Sequence, residues 1–192
     1  CQGTLRARIT YTGTRAHTAR PWKGRNAIHR LGDVLTALSN FEGRRPLIDG
    51  CEYREAIQAV FVEGGVAGNV VPDEAVLTAN LRYAPDRTPV EAERFLADQI
   101  GENDGFEITD HSIAAAPSLN HPLLAALIDR NGLEVRAKLG WTDVARFAEH
   151  GVPAANFGSG DASIAHTKDE FVERAEIETV HGALVDLLDR GI

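Results

Sequence analysis

The feature that most constrains this sequence is a change of hydrophobic period, from two residues to a helical spacing and back, made twice before His111. Leu5, Ala7, Ile9 and Tyr11 alternate with Arg6, Arg8 and Thr10, which predicts a half-buried strand over Thr4–Tyr11. From Asn26 to Phe41 the period lengthens. Ile28, Leu31, Leu35 and Leu38 share a helical face, and Asn26 is placed to cap it. Phe41 to Glu55 is polar and broken by Gly and Pro, so a loop is expected. Ala56–Val62, Glu74–Tyr83 and Phe106–His111 read as three further strands. Between the last two, Thr88 precedes Pro89 at the first position of a helix that runs to Ile100. The order β-α-β-β-α-β predicts an α+β domain of split βαβ, ferredoxin-like type over residues 1–114.

After Ala114-Ala115-Ala116-Pro117 the pattern changes. Helices are expected over Pro122–Arg130, Thr142–His150 and Ala175–Asp189, the last with Ile177, Val180, Leu184 and Leu187 facing inward. Short strands are expected at Glu134–Leu139 and Pro153–Phe157. Two such strands and three helices make a poor core of their own. Residues 115–192 are therefore expected to be the tail of a larger α/β domain. The sequence contains no Met, and strand-like sequence begins by Thr4. A piece of a longer chain is the expectation.

The hydrophobic fraction of 43% and charged fraction of 25% are those of an ordinary globular protein. Charge is unevenly placed. The net charge is −8, yet no Asp or Glu precedes Asp33, and seven of the 20 Lys and Arg residues fall within the first thirty positions. Such local positive potential favours an anionic ligand. No basic stripe continues beyond Arg30, which argues against nucleic-acid binding. No apolar run approaches the ~18 residues of a membrane-spanning helix, and no secretory signal is recognisable. Cys1 and Cys51 form no CxxC pair and suit a reducing cytoplasm.

Four places can carry chemistry. His17 sits in the basic stretch Gly13–His29, where a neutral imidazole can donate to an oxyanion; a solvated loop histidine is the competing reading. Asn69 follows the glycines of the turn Glu63–Asp73, which let backbone approach a ligand, or simply make a tight connection. Arg82, near the end of the third strand, has the planar fork that suits a carboxylate, or is a surface strand residue. His166 lies in a polar loop after Gly158-Ser159-Gly160, with acids nearby, as a metal ligand would. His29, His111, His121, His150 and His181 read as surface or packing residues.

These places fall in three ordered motifs: Gly13–His29, Glu63–Asp86 and Gly140–Glu170. Together they resemble the M20 family of zinc-dependent amidohydrolases and peptidases, over nearly the whole sequence. Within it the likeness is strongest to the desuccinylases of actinobacterial type. The resemblance implies a zinc-bearing α/β catalytic domain interrupted by a βαββαβ lid that dimerises, with residues 1–114 as the lid and 115–192 as the returning, incomplete part of the catalytic domain. It implies that His17 reaches into the partner subunit's site and stabilises the tetrahedral oxyanion. It further implies that Asn69 contacts the substrate, that Arg82 grips a carboxylate, and that Gly158, Ser159 and Gly160 line the pocket. His166 would be a zinc ligand, in a site of two zinc ions with cobalt as the alternative. The implied reaction is attack of metal-activated water on the succinyl amide of succinyl-diaminopimelate, giving succinate and LL-2,6-diaminopimelate for lysine and peptidoglycan synthesis in the cytoplasm. The substrate is a small polycarboxylate and the enzyme a homodimer, with no membrane or nucleic-acid partner. The family's HxD pair, bridging Asp and Glu-Glu pair have no counterpart here, so this chain alone is expected to be inactive. Two alternatives stand beside this reading: another deacylase of the family (an acetylornithine deacetylase, aminoacylase or carboxypeptidase), or a non-catalytic dimerisation module.

Overall fold

The computed structural model describes residues 1–191. The chain opens with β1 (Gly3–Thr12), crosses a short β2 (Ala16–His17) and two 3-10 turns, and enters α1 (Leu31–Ser39). A small hairpin, β3 (Leu47–Ile48) and β4 (Cys51–Glu52), precedes β5 (Ala56–Gly64). Then come β6 (Val70–Val71), β7 (Glu74–Tyr83), α2 (Pro89–Ile100) and β8 (Gly105–Ser112). Three helices follow: α3 (Pro122–Asn131), α4 (Val144–Glu149) and α5 (Arg174–Arg190).

The main sheet has four antiparallel strands in the order β5-β7-β1-β8. Its alternation has a plain cause. Leu5, Ala7, Ile9 and Tyr11 of β1 and Leu77, Ala79, Leu81 and Tyr83 of β7 are buried, and they share one core with Leu31, Val34 and Leu38 of α1 and Ala92, Leu96 and Ile100 of α2. Both helices thus cover the same face. Thr4, Arg6, Thr78, Asn80 and Arg82 alternate out of that core, within the register that pairs Thr4 with Arg82 and Arg6 with Asn80. At the start of α2, Thr88 Oγ1 accepts from Glu91 N–H at 3.3 Å, and Glu91 Oε2 accepts from Thr88 N–H at 2.8 Å, with Pro89 at the head of the helix. This is the reciprocal capping arrangement. Thr88→Ala is expected to cost about 1 kcal/mol, measured as a lower urea midpoint with an unchanged m-value.

Several expectations are corrected. The loop over 41–55 contains the hairpin β3–β4, turned by Asp49 and Gly50 at φ of 47° and 78°. Helix α1 begins at Leu31 after a 3-10 turn, Ile28–Arg30, whose first amides are met by Asn26 Oδ1 at 2.9 and 3.2 Å. No strand is found after Ser112 among the described residues, so neither Glu134–Leu139 nor Pro153–Phe157 is a strand. A strand needs a neighbour to complete its ladder. Among the described residues, the one main-chain bond from the first of these segments to the start of the chain is Gln2 N–H to the Lys138 carbonyl, at 3.0 Å. Helix α5 packs on α3, but its expected inner face is largely open: Ile177 and Leu184 are exposed, and only Ala183 of that helix is buried.

Candidate functional site

At the end of β1 the chain turns into an arm tied down mainly by backbone. Gly13 N–H donates to the Asp73 carbonyl at 2.7 Å, Thr14 and Arg25 exchange bonds of 2.8 and 3.0 Å, and Ala27 N–H reaches the Pro72 carbonyl at 2.9 Å. A Cβ on Gly13 would lie 2.0 Å from the Arg25 carbonyl oxygen, so this approach requires glycine. Arg15 Nε lies 2.7 Å from Asp73 Oδ1, and that guanidinium holds the Asp73 carboxyl below its ordinary range.

The arm brings His17 and Asn69 together. β2 pairs with β6, His17 opposite Val70, and Thr18 N–H donates to the Asn69 carbonyl at 3.0 Å. Both residues are exposed. The imidazole is oriented by its own turn. Arg20 N–H donates to the His17 carbonyl at 2.8 Å, and Ala19 N–H donates to His17 Nδ1 at 3.0 Å. With Nδ1 accepting, a neutral ring carries its proton on Nε2. The ring therefore offers a donor on its other edge, which is the polarity an oxyanion needs.

The other candidates lie elsewhere. Arg82 sits near the far end of β7 from the arm, about 27 Å along the strand at ~3.4 Å per residue. Among the described residues no hydrogen bond joins it to His17 or Asn69. Gly158, Ser159 and Gly160 form an exposed loop in which Gly160 N–H donates to Glu176 Oε2 at 2.8 Å. Gly158 also lines a cavity of about 310 Å³ shared with Cys1, Cys51, Tyr53, Leu127 and Asn156. His166 is exposed, with φ of 65°, and its amide donates to Glu170 Oε2 at 2.8 Å. No group of three His, Cys, Asp or Glu side chains placed to hold a metal occurs among the described residues. Without such a group, the described residues of this chain do not by themselves fit the metal.

One polar chain was not legible beforehand. Tyr83 Oη is 2.8 Å from His111 Nε2, and His111 Nδ1 is 3.0 Å from Glu93 Oε1. The hydroxyl donates to the ring and the ring to the carboxylate, tying β7, β8 and α2 together. Burial pushes the Tyr83 hydroxyl up to about 12, so it stays a donor. His111 is thus a packing histidine with specific partners.

The chain is 51% identical over 191 residues to a Mycobacterium tuberculosis protein assigned as succinyl-diaminopimelate desuccinylase, a match covering 99% of this chain and 53% of that one. It is 42% identical over 193 residues to the Corynebacterium glutamicum succinyl-diaminopimelate desuccinylase, covering 98% of this chain and 52% of the relative. The chain thus spans about half the length of the curated relatives it matches. Among solved structures, an M20 family metallo-carboxypeptidase from Sulfolobus solfataricus superposes with a TM-score of 0.68 at 17% identity, over 95% of this chain and 56% of that one, a likeness of fold. No described helix is long and apolar enough to cross a membrane. The family model for the peptidase dimerisation domain matches residues 2–105, more than half of the sequence, and the chain belongs to that M20 family.

Proposed function

We propose that this chain is the dimerising lid, over residues 1–114, and the returning C-terminal portion, over 115–192, of an amidohydrolase that removes the succinyl group from succinyl-diaminopimelate. The observation that carries the reading is the 51% identity maintained over 99% of the chain. We read the four-stranded sheet as the ferredoxin-like lid, and the polycarboxylate substrate as the ligand of its basic arm. His17 donates through Nε2 to the oxyanion that forms on the scissile carbonyl, Asn69 beside it contacts the substrate, and Arg82 holds a substrate carboxylate. The Gly158–Gly160 loop lines the same pocket. The zinc that the resemblance implies, His166 as one of its ligands, and a cytoplasmic location belong to the same proposal, and no step above rests on them.

A second copy of the chain is the natural occupant of the β5 edge. This edge strand leaves Val60 42%, Phe61 66% and Val62 51% exposed, an apolar rim with unpaired backbone. In such a dimer the separation of His17 from Arg82 ceases to be a difficulty, because the two need not serve the same site from the same subunit.

The test is a substrate comparison with the complete protein. Its kcat/KM is expected to be at least about tenfold higher, roughly 1.4 kcal/mol of transition-state preference, for succinyl-diaminopimelate than for acetylornithine or simple acyl amino acids. A preference for either of the others would replace this reading with another deacylase of the family. Hydrolysis of none would favour a dimerisation module without catalysis.

A further inference from the structure

The cations of the arm are not equivalent. Arg15 is held by Asp73, and Arg25 Nη2 donates to the Thr12 carbonyl at 3.0 Å. Just beyond the arm, Arg30 pairs with Asp104 and also donates to the Thr12 carbonyl. These three groups are occupied in holding the arm. Arg20 and Lys23 are exposed, and among the described residues their side chains make no hydrogen bond or ion pair. They are nonetheless fixed in place by their backbone. Arg20 N–H donates to the His17 carbonyl at 2.8 Å, Lys23 N–H to the Arg20 carbonyl at 3.1 Å, and Gly24 N–H to the Pro21 carbonyl at 3.0 Å. Pro21 locks the first φ of this 3-10 turn. Between the two cations in sequence stands Trp22, 76% exposed.

We propose that Arg20 and Lys23, carried on the Pro21–Lys23 turn next to His17, read the distal carboxylate of a dicarboxylic amino-acid substrate and so set the preference for polycarboxylates over simple acyl amino acids. The inference rests on the oxyanion reading of His17, because it is that residue which brings the turn to the scissile bond. The chemistry is complementary. A free carboxylate in water gains most from cations that have no carboxylate of their own, on a backbone that is already ordered. Of the arm's other cations, Arg15 and Arg30 are already paired with Asp73 and Asp104, and Arg25 commits a guanidinium donor to the Thr12 carbonyl.

The experiment uses the complete enzyme and two substrates: succinyl-diaminopimelate, and an N-succinyl amino acid of similar length that lacks the distal amino-acid head. In the Arg20→Gln/Lys23→Gln double variant, KM for the first is expected to rise about tenfold with kcat within about twofold, while KM for the second stays level. The wild-type KM for the first should also rise with added salt, and that salt dependence should be weaker in the variant. Equal changes on both substrates, no change on either, or a fall in kcat with KM intact overturns the proposal. His17→Ala, assayed alongside, separates the two levels. If it leaves kcat near normal, the oxyanion reading fails. If it lowers kcat while the double variant shows no discrimination, only the carboxylate-reading role fails.

Discussion

Replacing His17 with alanine in the complete enzyme is expected to lower kcat by about 10²- to 10³-fold with little change in KM, the loss typical of removing one donor to an oxyanion. The expectation rests on polarity and on rigidity. Ala19 N–H occupies Nδ1, so the proton of the neutral ring is on Nε2. The Thr18 bond to the Asn69 carbonyl and the Arg15–Asp73 pair keep the arm from drifting, so the donor is in place before charge develops. A near-normal kcat would reject the role. A mixed dimer sharpens the test. His17→Ala subunits and Arg82→Gln subunits are each expected to be poor alone. When mixed, activity should recover, because one of the two sites then receives an intact His17 from one subunit and an intact Arg82 from the other. Absence of recovery would mean that a single subunit supplies both residues to a site, although Arg82 lies about 27 Å along β7 from the arm at ~3.4 Å per residue.

How much of this was legible varies with what holds each element. β1, β7 and α2 were readable because each is shaped by burial against one core, and burial writes a period into the sequence; β5 and β8 give that core only Ile57 and the partly buried Phe106, and were readable as runs with apolar residues between turn residues. The hairpin β3–β4 carried its own signal, Asp49-Gly50, the favoured pair for a two-residue turn, but its strands are too short to show alternation. Glu134–Leu139 and Pro153–Phe157 find no strand partner among the described residues. Their composition suits a strand, but pairing is a property of two segments and cannot be read from one. The same holds for the site. His17 and Asn69 each stood out in its own motif, yet their adjacency is made by the two-residue ladder of β2 and β6, which has no periodic signature. The free state of Arg20 and Lys23 was equally invisible, since it depends on which neighbouring cations Asp73 and Asp104 already engage.

Removing the carboxylate of Glu55 is the change expected to weaken the dimerisation domain most. Its side chain is fully buried at the head of β5, a position where a lone charge would be strongly disfavoured. Arg44 reaches its two oxygens at 2.8 and 3.0 Å, Arg87 at 2.8 and 3.2 Å, and Ala84 N–H adds a bond of 3.2 Å. Arg44 is held in turn by Asp86, and the Arg87 guanidinium lies 4.0 Å from the centre of the Phe95 ring. The loop is pressed onto this point: a Cβ on Gly43 would lie 1.7 Å from the Glu55 carbonyl oxygen. Glu55→Gln can keep one acceptor for Ala84 but presents an amide N–H₂ to a guanidinium. Arg44 can return to water, whereas Arg87 is only 17% exposed and cannot do so fully. The expected cost is about 3 kcal/mol, the low end for breaking a buried pair, or a fall of roughly 6–12 °C in Tm for a chain of this size. The pH dependence gives an independent check. Burial alone pushes the Glu55 carboxyl up, but Arg44, Arg87 and the Ala84 amide outweigh it and hold the group below its ordinary value of 4.5. A carboxyl with a depressed folded-state pKa contributes stability in full above its unfolded value and loses it as pH falls through the folded value. The stability difference between wild type and Glu55→Gln should therefore be constant near neutrality and shrink progressively below pH 4.5. A difference that stayed constant into acid would mean that the pair contributes by packing alone and that the charge of Glu55 is incidental to the fold.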